Sequence, residues 1–283
     1  MKKGLVLEGG AMRGIFTAGI LDVFLENKID FDGAVGASAG AVFGCNYKSV
    51  QPGRSLRYNI RFCKDKRYCG FHSLISSGNL YNAEFCYHEL PAKLDIFDIQ
   101  TFKDNPFEFH VVCTDVLTGQ AVYKELTEVT YDALEWLRAS ASMPIVSKIV
   151  NVDSYFLLDG GIADSIPVKY FENLGYGKNV VILTRPDGYQ KKRNKLLPLL
   201  KIWYGKYPAF VQALKTRHEM YNETLAYIAE REKEGKLFVI RPEQALKIGK
   251  MERNPDKIRN VYNIGRQTGE KHLAAVKKFL NQA

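Results

Sequence analysis

Phe31-Asp32-Gly33-Ala34-Val35-Gly36-Ala37-Ser38-Ala39-Gly40 is the stretch on which the fold turns. Its first half, to Gly36, is a short apolar strand, and Ala39 to Tyr47 has the composition of a helix rich in small residues. Ser38 stands at the junction, in the pattern Gly-x-Ser-x-Gly. Such a sharp strand-to-helix turn forms only when its neighbours are tiny, which Gly36 and Gly40 satisfy, and it lifts the serine hydroxyl clear of the sheet. The helix that follows aims the positive end of its dipole at that hydroxyl. A plainer reading is also open: Ser38 as an ordinary N-cap on a small-residue helix packed against a strand.

Upstream, Leu5-Val6-Leu7 is a buried first strand that stops at Gly9-Gly10. Ile15, Phe16, Ile20, Val23 and Phe24 then repeat at three and four residues, as a helix does. The loop between them, Glu8-Gly9-Gly10-Ala11-Met12-Arg13-Gly14, presents unpaired backbone N–H groups suited to negative charge. Two readings compete for it. A dinucleotide site would use Asp30 or Asp32 on the ribose, but Ala11 stands where the G-x-G-x-x-G fingerprint needs glycine. The other reading is an oxyanion hole serving Ser38, with Arg13 adding positive charge, since adjacent parallel strands bring both loops to the same end of the sheet.

Downstream, Phe109 to Cys113 is a buried strand, turned back as a hairpin at Gly119. Tyr131 to Ser142 reads as a helix, and Tyr155 to Leu158 as a strand that ends at Asp159-Gly160-Gly161. Asn179 to Thr184 and Lys236 to Ile240 are further strands, and Lys257 to Leu280 is a closing amphipathic helix. Strands alternating with helices predict an α/β fold, with a mostly parallel central sheet flanked by helices. Residues 51–105, polar and aromatic, are the natural place for a cap. Asp159-Gly160 is ordinary turn chemistry, yet a carboxylate at a strand's carboxyl end is also where a catalytic base stands.

Gly9–Gly14, Gly36–Gly40 and Asp159–Gly161, in that order, resemble the three motifs of the patatin-like phospholipases, over roughly residues 4 to 185. The resemblance implies a Ser-Asp dyad, with Ser38 attacking an ester carbonyl and Asp159 taking its proton. It implies that the N–H groups of Gly9, Gly10 and Ala11, in the loop running through Met12, Arg13 and Gly14, hold the oxyanion. Gly160 and Gly161 complete the third motif, and Ala139 to Pro144 resembles the small-residue helix end that precedes it. The implied activity is that of a serine acyl-ester hydrolase on lipid esters, phospholipase A- or lysophospholipase-like, with no cofactor and no metal. A transacylase on the same dyad is the alternative, and a dinucleotide-binding protein the more distant one. Ala11 departs from the family's third glycine; if the position needs positive φ, alanine strains it by about 1 kcal/mol. An aspartate is weakly basic at its usual pKa, so Asp159 needs desolvation to act on a serine hydroxyl.

Of the five histidines, His72, His88 and His110 precede Asp159, while His218 lies in Lys215–Glu219, read as a solvated helix face, and His272 in the closing helix. None is expected to be catalytic. Cys63, Cys69, His72, Cys86 and His88 cluster, but their spacing fits no zinc pattern. The five cysteines, Cys45 and Cys113 included, read as reduced thiols.

The chain of 283 residues is 46% hydrophobic with a net charge of +9, but the charge is uneven. Residues 185–283 hold 22 Lys/Arg against 10 Asp/Glu, and residues 1–184 hold 18 against 21. Two parts are therefore expected: a catalytic α/β domain over 1–185 and a basic, mainly helical extension over 186–283 packed on the same core, joined near 186–195 by a solvated linker. Lys191 through Arg217 interleaves basic residues with Leu, Ile, Trp and Tyr. That suits either peripheral contact with an anionic membrane or an amphipathic helix packed on the core. No nucleic-acid module is present. The apolar run after Met1-Lys2-Lys3 is too short for a secretory signal, and no transmembrane segment is expected. The expected setting is cytoplasmic, peripheral at the inner membrane surface.

Overall fold

The computed structural model describes residues 1–281. Among them eight strands form one sheet: β1 (Lys2–Leu7), β2 (Gly33–Ala37), β3 (Glu108–Asp115), β4 (Ala121–Glu125), β5 (Val150–Val152), β6 (Tyr155–Asp159), β7 (Tyr176–Ile182) and β8 (Leu237–Ile240). Helices α1 (Gly14–Glu26), α2 (Ala39–Lys48), α3 (Arg54–Phe62), α4 (Phe71–Ser77) and α5 (Ile99–Asp104) come from the first part of the chain. They are followed by α6 (Tyr131–Ser140), α7 (Val168–Asn173), α8 (Leu197–Trp203), α9 (Pro208–Lys233) and α10 (Pro255–Asn281).

The strand order is β5-β6-β3-β2-β1-β7-β8, with β4 also pairing β3. From β3 across to β8 every pairing is parallel, with Leu5 opposite Ala34 on one side and Val180 on the other. Strands β4, β5 and β6 are antiparallel additions. Alternation along β1 sends Leu5 and Leu7 to one face and Val6 to the other. The first face packs on α1, α2, α6 and α10, the second on α7 and α9. Helices thus cover both faces, as the near-continuous apolar strands require.

Residues 51–105 fold as α3, α4, a π-helical stretch Phe85–Leu94 containing Pro91, and α5. They lie on the α2 side and form a cap. Residues beyond 186 are woven into the same body. Strand β8 extends the sheet beside β7, with Val181 opposite Val239, and α10 crosses α1 where Gly265 and Gly19 let the two backbones meet. A Cβ on Gly265 would stand 2.1 Å from the Phe16 carbonyl oxygen.

Candidate active site

The registers explain how Asp159 reaches Ser38. Strand β2 runs beside β3 only as far as Ala37 opposite Val112. Beyond that point the same edge of β3 is taken by β6, because β4 already holds the other edge. Strand β6 enters antiparallel and ends with Asp159 opposite Cys113, one step past Val112. Asp159 therefore arrives at the level where β2 gives way to Ser38.

Ser38 itself sits at φ 54°, ψ −121°, a conformation costly for a side chain and kept by its surroundings. Gly36 and Gly40 permit it, since a Cβ on Gly36 would press within 2.5 Å of the Gly40 carbonyl carbon, and one on Gly40 within 2.3 Å of the Leu7 oxygen. The Ser38 hydroxyl donates to Asp159 Oδ2 at 2.8 Å, both groups being buried. The second carboxylate oxygen, Oδ1, accepts the Gly161 N–H at 2.8 Å. Burial pushes the Asp159 carboxyl above its ordinary value, against the pull of the Arg217 charge and the hydrogen bonds from Ser38 and Gly161. That is the desolvation a Ser-Asp pair needs.

The end of α6 holds both groups in place. The Ser38 N–H donates to Ser140 Oγ at 2.8 Å, and that hydroxyl donates to the Val112 carbonyl at 2.6 Å. Two residues on, the Ser142 carbonyl accepts the Asp159 N–H at 2.9 Å. The segment 139–144 thus clamps both catalytic candidates through its own backbone and hydroxyl.

The glycine loop lies against the elbow: a Cβ on Gly9 would come within 3.1 Å of Ser38 Cβ. Its six residues divide. Gly9 donates its N–H to the Ser165 carbonyl at 3.2 Å, Arg13 to Gly10 at 3.2 Å, and Gly14 to Ala11 within the helical turn. Contrary to the expectation for Gly9, these three shape the loop and offer no free donor. Among the described residues no acceptor meets the N–H groups of Gly10, Ala11 and Met12, nor that of Ala39 at the start of α2. Ala11 has φ 49°, so the position does need the left-handed region and alanine carries the expected strain. No histidine hydrogen-bonds to Ser38 or Asp159 among the described residues; His88 meets Glu135 at 3.0 Å and His110 meets Tyr170 at 3.1 Å.

On the α2 side of Ser38 lies a cavity of about 120 Å³. Ala11, Met12 and Ser38 form its floor, and the cap supplies its walls, notably Tyr58, Tyr68, Tyr81, Tyr87, Leu90 and Phe97. Met143, just past the α6 clamp, completes it. No sequence pattern singled out these tyrosines individually, because aromatic residues in an irregular segment carry no period to read.

Two sequence expectations fail on the far side of the loop. Arg217 is not on a solvated face: its Nε donates to the Gly161 carbonyl at 2.5 Å, next to Asp159. Lys191 is not in a free linker either, since its backbone N–H and carbonyl are both bonded to the Asn222 side-chain amide. Helix α9 reaches the site in a third way, through Tyr221, whose hydroxyl donates to the buried Glu8 carboxylate at 2.7 Å. Sequence distance hid these contacts; the +12 balance of residues 185–283 was visible, but not where it pointed.

Residues 5–172 match the family model described as patatin-like phospholipase. The chain belongs to the patatin-like phospholipase family. Residues 207–281 of this patatin-like protein also match a domain of unknown function, DUF6363. Among curated relatives, an uncharacterized protein of Escherichia coli, YjjU, is 27% identical over 98% of the chain and 79% of its own length. A probable lipid hydrolase of invertebrate iridescent virus 6 is 27% identical over 59% of the chain and 62% of its own length. Among solved structures, VipD from Legionella pneumophila superposes with a TM-score of 0.50 at 13% identity, covering 97% of this chain and 67% of that one, a likeness of fold. The family places the protein among hydrolases that act on lipids, and among the described residues no helix is long and apolar enough to cross a membrane.

Proposed function

We propose that the protein is a serine acyl-ester hydrolase directed at lipid esters, working through a Ser38-Asp159 dyad. The observation that carries this is the 2.8 Å hydrogen bond from Ser38 Oγ to a buried Asp159, at the floor of an apolar, largely aromatic cavity. Asp159 Oδ2 takes the proton as Ser38 Oγ bonds to the ester carbonyl carbon. The oxyanion accepts hydrogen bonds from the free N–H groups of Gly10, Ala11, Met12 and Ala39. Collapse expels the alcohol, which leaves with the proton held by Asp159. Water then attacks the acyl-Ser38 ester with Asp159 again as base, releasing the acid and restoring the hydroxyl.

Contact with an anionic membrane surface belongs to the same reading. Helix α8 leaves Ile202 82% and Trp203 61% exposed, beside Lys201 and Lys206, and its neighbour Tyr204 accepts the Ile145 N–H through its hydroxyl, two residues from cavity-lining Met143. Exposed apolar side chains flanked by lysines suit a lipid interface.

The test is an ester panel run with a serine-directed phosphonate probe. The wild type is expected to be labelled and to turn over long-chain acyl esters, while Ser38→Ala does neither and Asp159→Asn loses turnover by at least about 10³-fold. Equal labelling of wild type and Ser38→Ala, or full activity in Asp159→Asn, would refute the dyad.

A further inference from the structure

On the face of the glycine loop away from the aromatic cavity, four cations converge from three parts of the chain. Arg13 comes from the loop itself, Arg185 and Lys191 from the segment after β7, and Arg217 from α9. Geometry fixes Arg185, Lys191 and Arg217 around one buried pair, and Arg13 stands near enough to Arg185 and Glu8 for their charges to act on it. Tyr221 is bonded to Glu8 at 2.7 Å, and Lys191 Nζ lies 4.0 Å from the centre of the Tyr221 ring. Tyr189 packs edge-on against Tyr221, and the Arg185 guanidinium lies 4.4 Å from the centre of the Tyr189 ring. Arg217, one helical turn before Tyr221, is anchored on Gly161.

Arg217 bonds the Gly161 carbonyl, but among the described residues these cations have no carboxylate partner. Among the described residues none of the four forms an ion pair within 4.0 Å. The side chains of Arg13, Arg185 and Lys191 find no hydrogen-bond acceptor there, and Arg13 Nε is fully buried without one. A buried guanidinium nitrogen without an acceptor is costly, and so is a half-buried group of like charges. The carboxylates within the cluster are Glu8 and Asp159, two against four. Burial and the charges of Arg217, Arg13 and Arg185 push the Lys191 ammonium down to about 7 despite Glu8, as expected where positive charge is in excess. Arg217 and Lys191 also act on Asp159, which ties the cluster to the dyad.

We propose that Arg13, Arg185, Lys191 and Arg217 form a head-group subsite that holds the phosphate of a phosphomonoester lipid while its acyl chain occupies the aromatic cavity. The inference rests on the hydrolase reading above and names its substrate class. A dianion matches the surplus of two positive charges that the cluster carries with Lys191 protonated, and tetrahedral oxygens can be shared among several arginine forks where a single carboxylate would satisfy one. A zwitterionic choline head group would bring a further cation into the cluster. Two of the four ligands, Lys191 and Arg217, lie in the extension beyond residue 186, so the extension helps to select the substrate for a nucleophile that it does not itself contain.

The experiment compares kcat/KM for acylglycerol 3-phosphate, acylglycerophosphocholine and monoacylglycerol of one chain length, in wild type, Lys191→Met and Lys191→Arg. The wild type is expected to prefer the phosphomonoester over monoacylglycerol by about tenfold or more. Lys191→Met should cut that ratio about tenfold, chiefly through KM, and Lys191→Arg should keep it. An unchanged ratio, or an equal loss on all three esters, overturns the proposal. Calorimetric binding of acylglycerol 3-phosphate to Ser38→Ala, with and without Lys191→Met, reads the subsite without turnover. Binding that depends on Lys191 in a protein with no esterase activity would leave the subsite standing and remove the hydrolase. Inorganic phosphate binding as tightly as the lipid phosphate, with no head-group preference in turnover, would assign the cluster to free phosphate and overturn the proposal.

Discussion

Asp159 is asked to be both buried and basic, and the two demands set opposite pH dependences. Burial raises its folded pKa, so the folded protein holds that proton more tightly than the unfolded chain does. The stability it lends is complete at low pH and is lost as pH rises from the ordinary carboxylate value through the raised one. On the proposed dyad, activity is expected to move the other way across the same window, because only the ionised carboxylate can take the Ser38 proton. Asp159→Asn, which can still accept from Gly161, is therefore expected to melt higher than wild type at neutral pH, with the gap closing in acid. Thermal denaturation of both proteins from about pH 4 to 8 checks this, and a less stable Asn variant at neutral pH would show that the burial cost is met elsewhere. At this scale the sequence was informative. Ser38, Asp159 and the oddity of Ala11 stand in fixed local motifs, whereas Arg217 and Tyr221 sit in no motif, and their roles come only from where a long helix lands.

At the scale of elements, two short pieces do most of the positioning. Strand β6 is antiparallel in a sheet expected to be mostly parallel, and that reversal delivers Asp159 head-on to the end of β2. Periodicity marked β6 as a strand, but alternation does not encode direction; direction follows from the β5–β6 hairpin and from β2 leaving an edge of β3 vacant. Helix α8 is the other piece. The sequence left it between a membrane contact and a packed amphipathic helix, and the structure packs Leu197 and Leu200 on the core while leaving Ile202 and Trp203 exposed. Replacing Ile202 and Trp203 together with serine should weaken binding to anionic phosphatidylglycerol vesicles by about tenfold or more while leaving turnover of a soluble short-chain ester alone. Sedimentation of wild type and variant with anionic and with zwitterionic vesicles measures it. Equal sedimentation of the two with anionic vesicles would remove α8 as a lipid contact.

For the whole molecule the question is whether residues beyond 186 form a unit apart. The sheet crosses that boundary at β7–β8, and α10 lies across α1 at the closest backbone approach, Gly265 on Phe16. Gly265→Ala is accordingly expected to destabilise the protein by about 2–3 kcal/mol, since the methyl meets backbone that cannot step aside. Denaturant unfolding followed by far-ultraviolet dichroism should show one transition moved as a whole; two transitions, with the first 185 residues unaffected, would mean separate domains. The charge imbalance between the halves suggested a division of labour, and the contacts join both halves in a single body.

Tyr221 on Glu8 has a consequence for the order in which the protein comes into being. Ser38, the glycine loop and Asp159 all leave the ribosome well before α9 does, and β7 must wait for β8 to cover its edge. Until then Glu8 is a buried carboxylate lacking its tyrosine, and Gly161 lacks the guanidinium that braces it. On the proposed dyad, a nascent chain carrying Ser38 and Asp159 is thus held without a finished site, and lipid cleavage is expected only after α9 has been made.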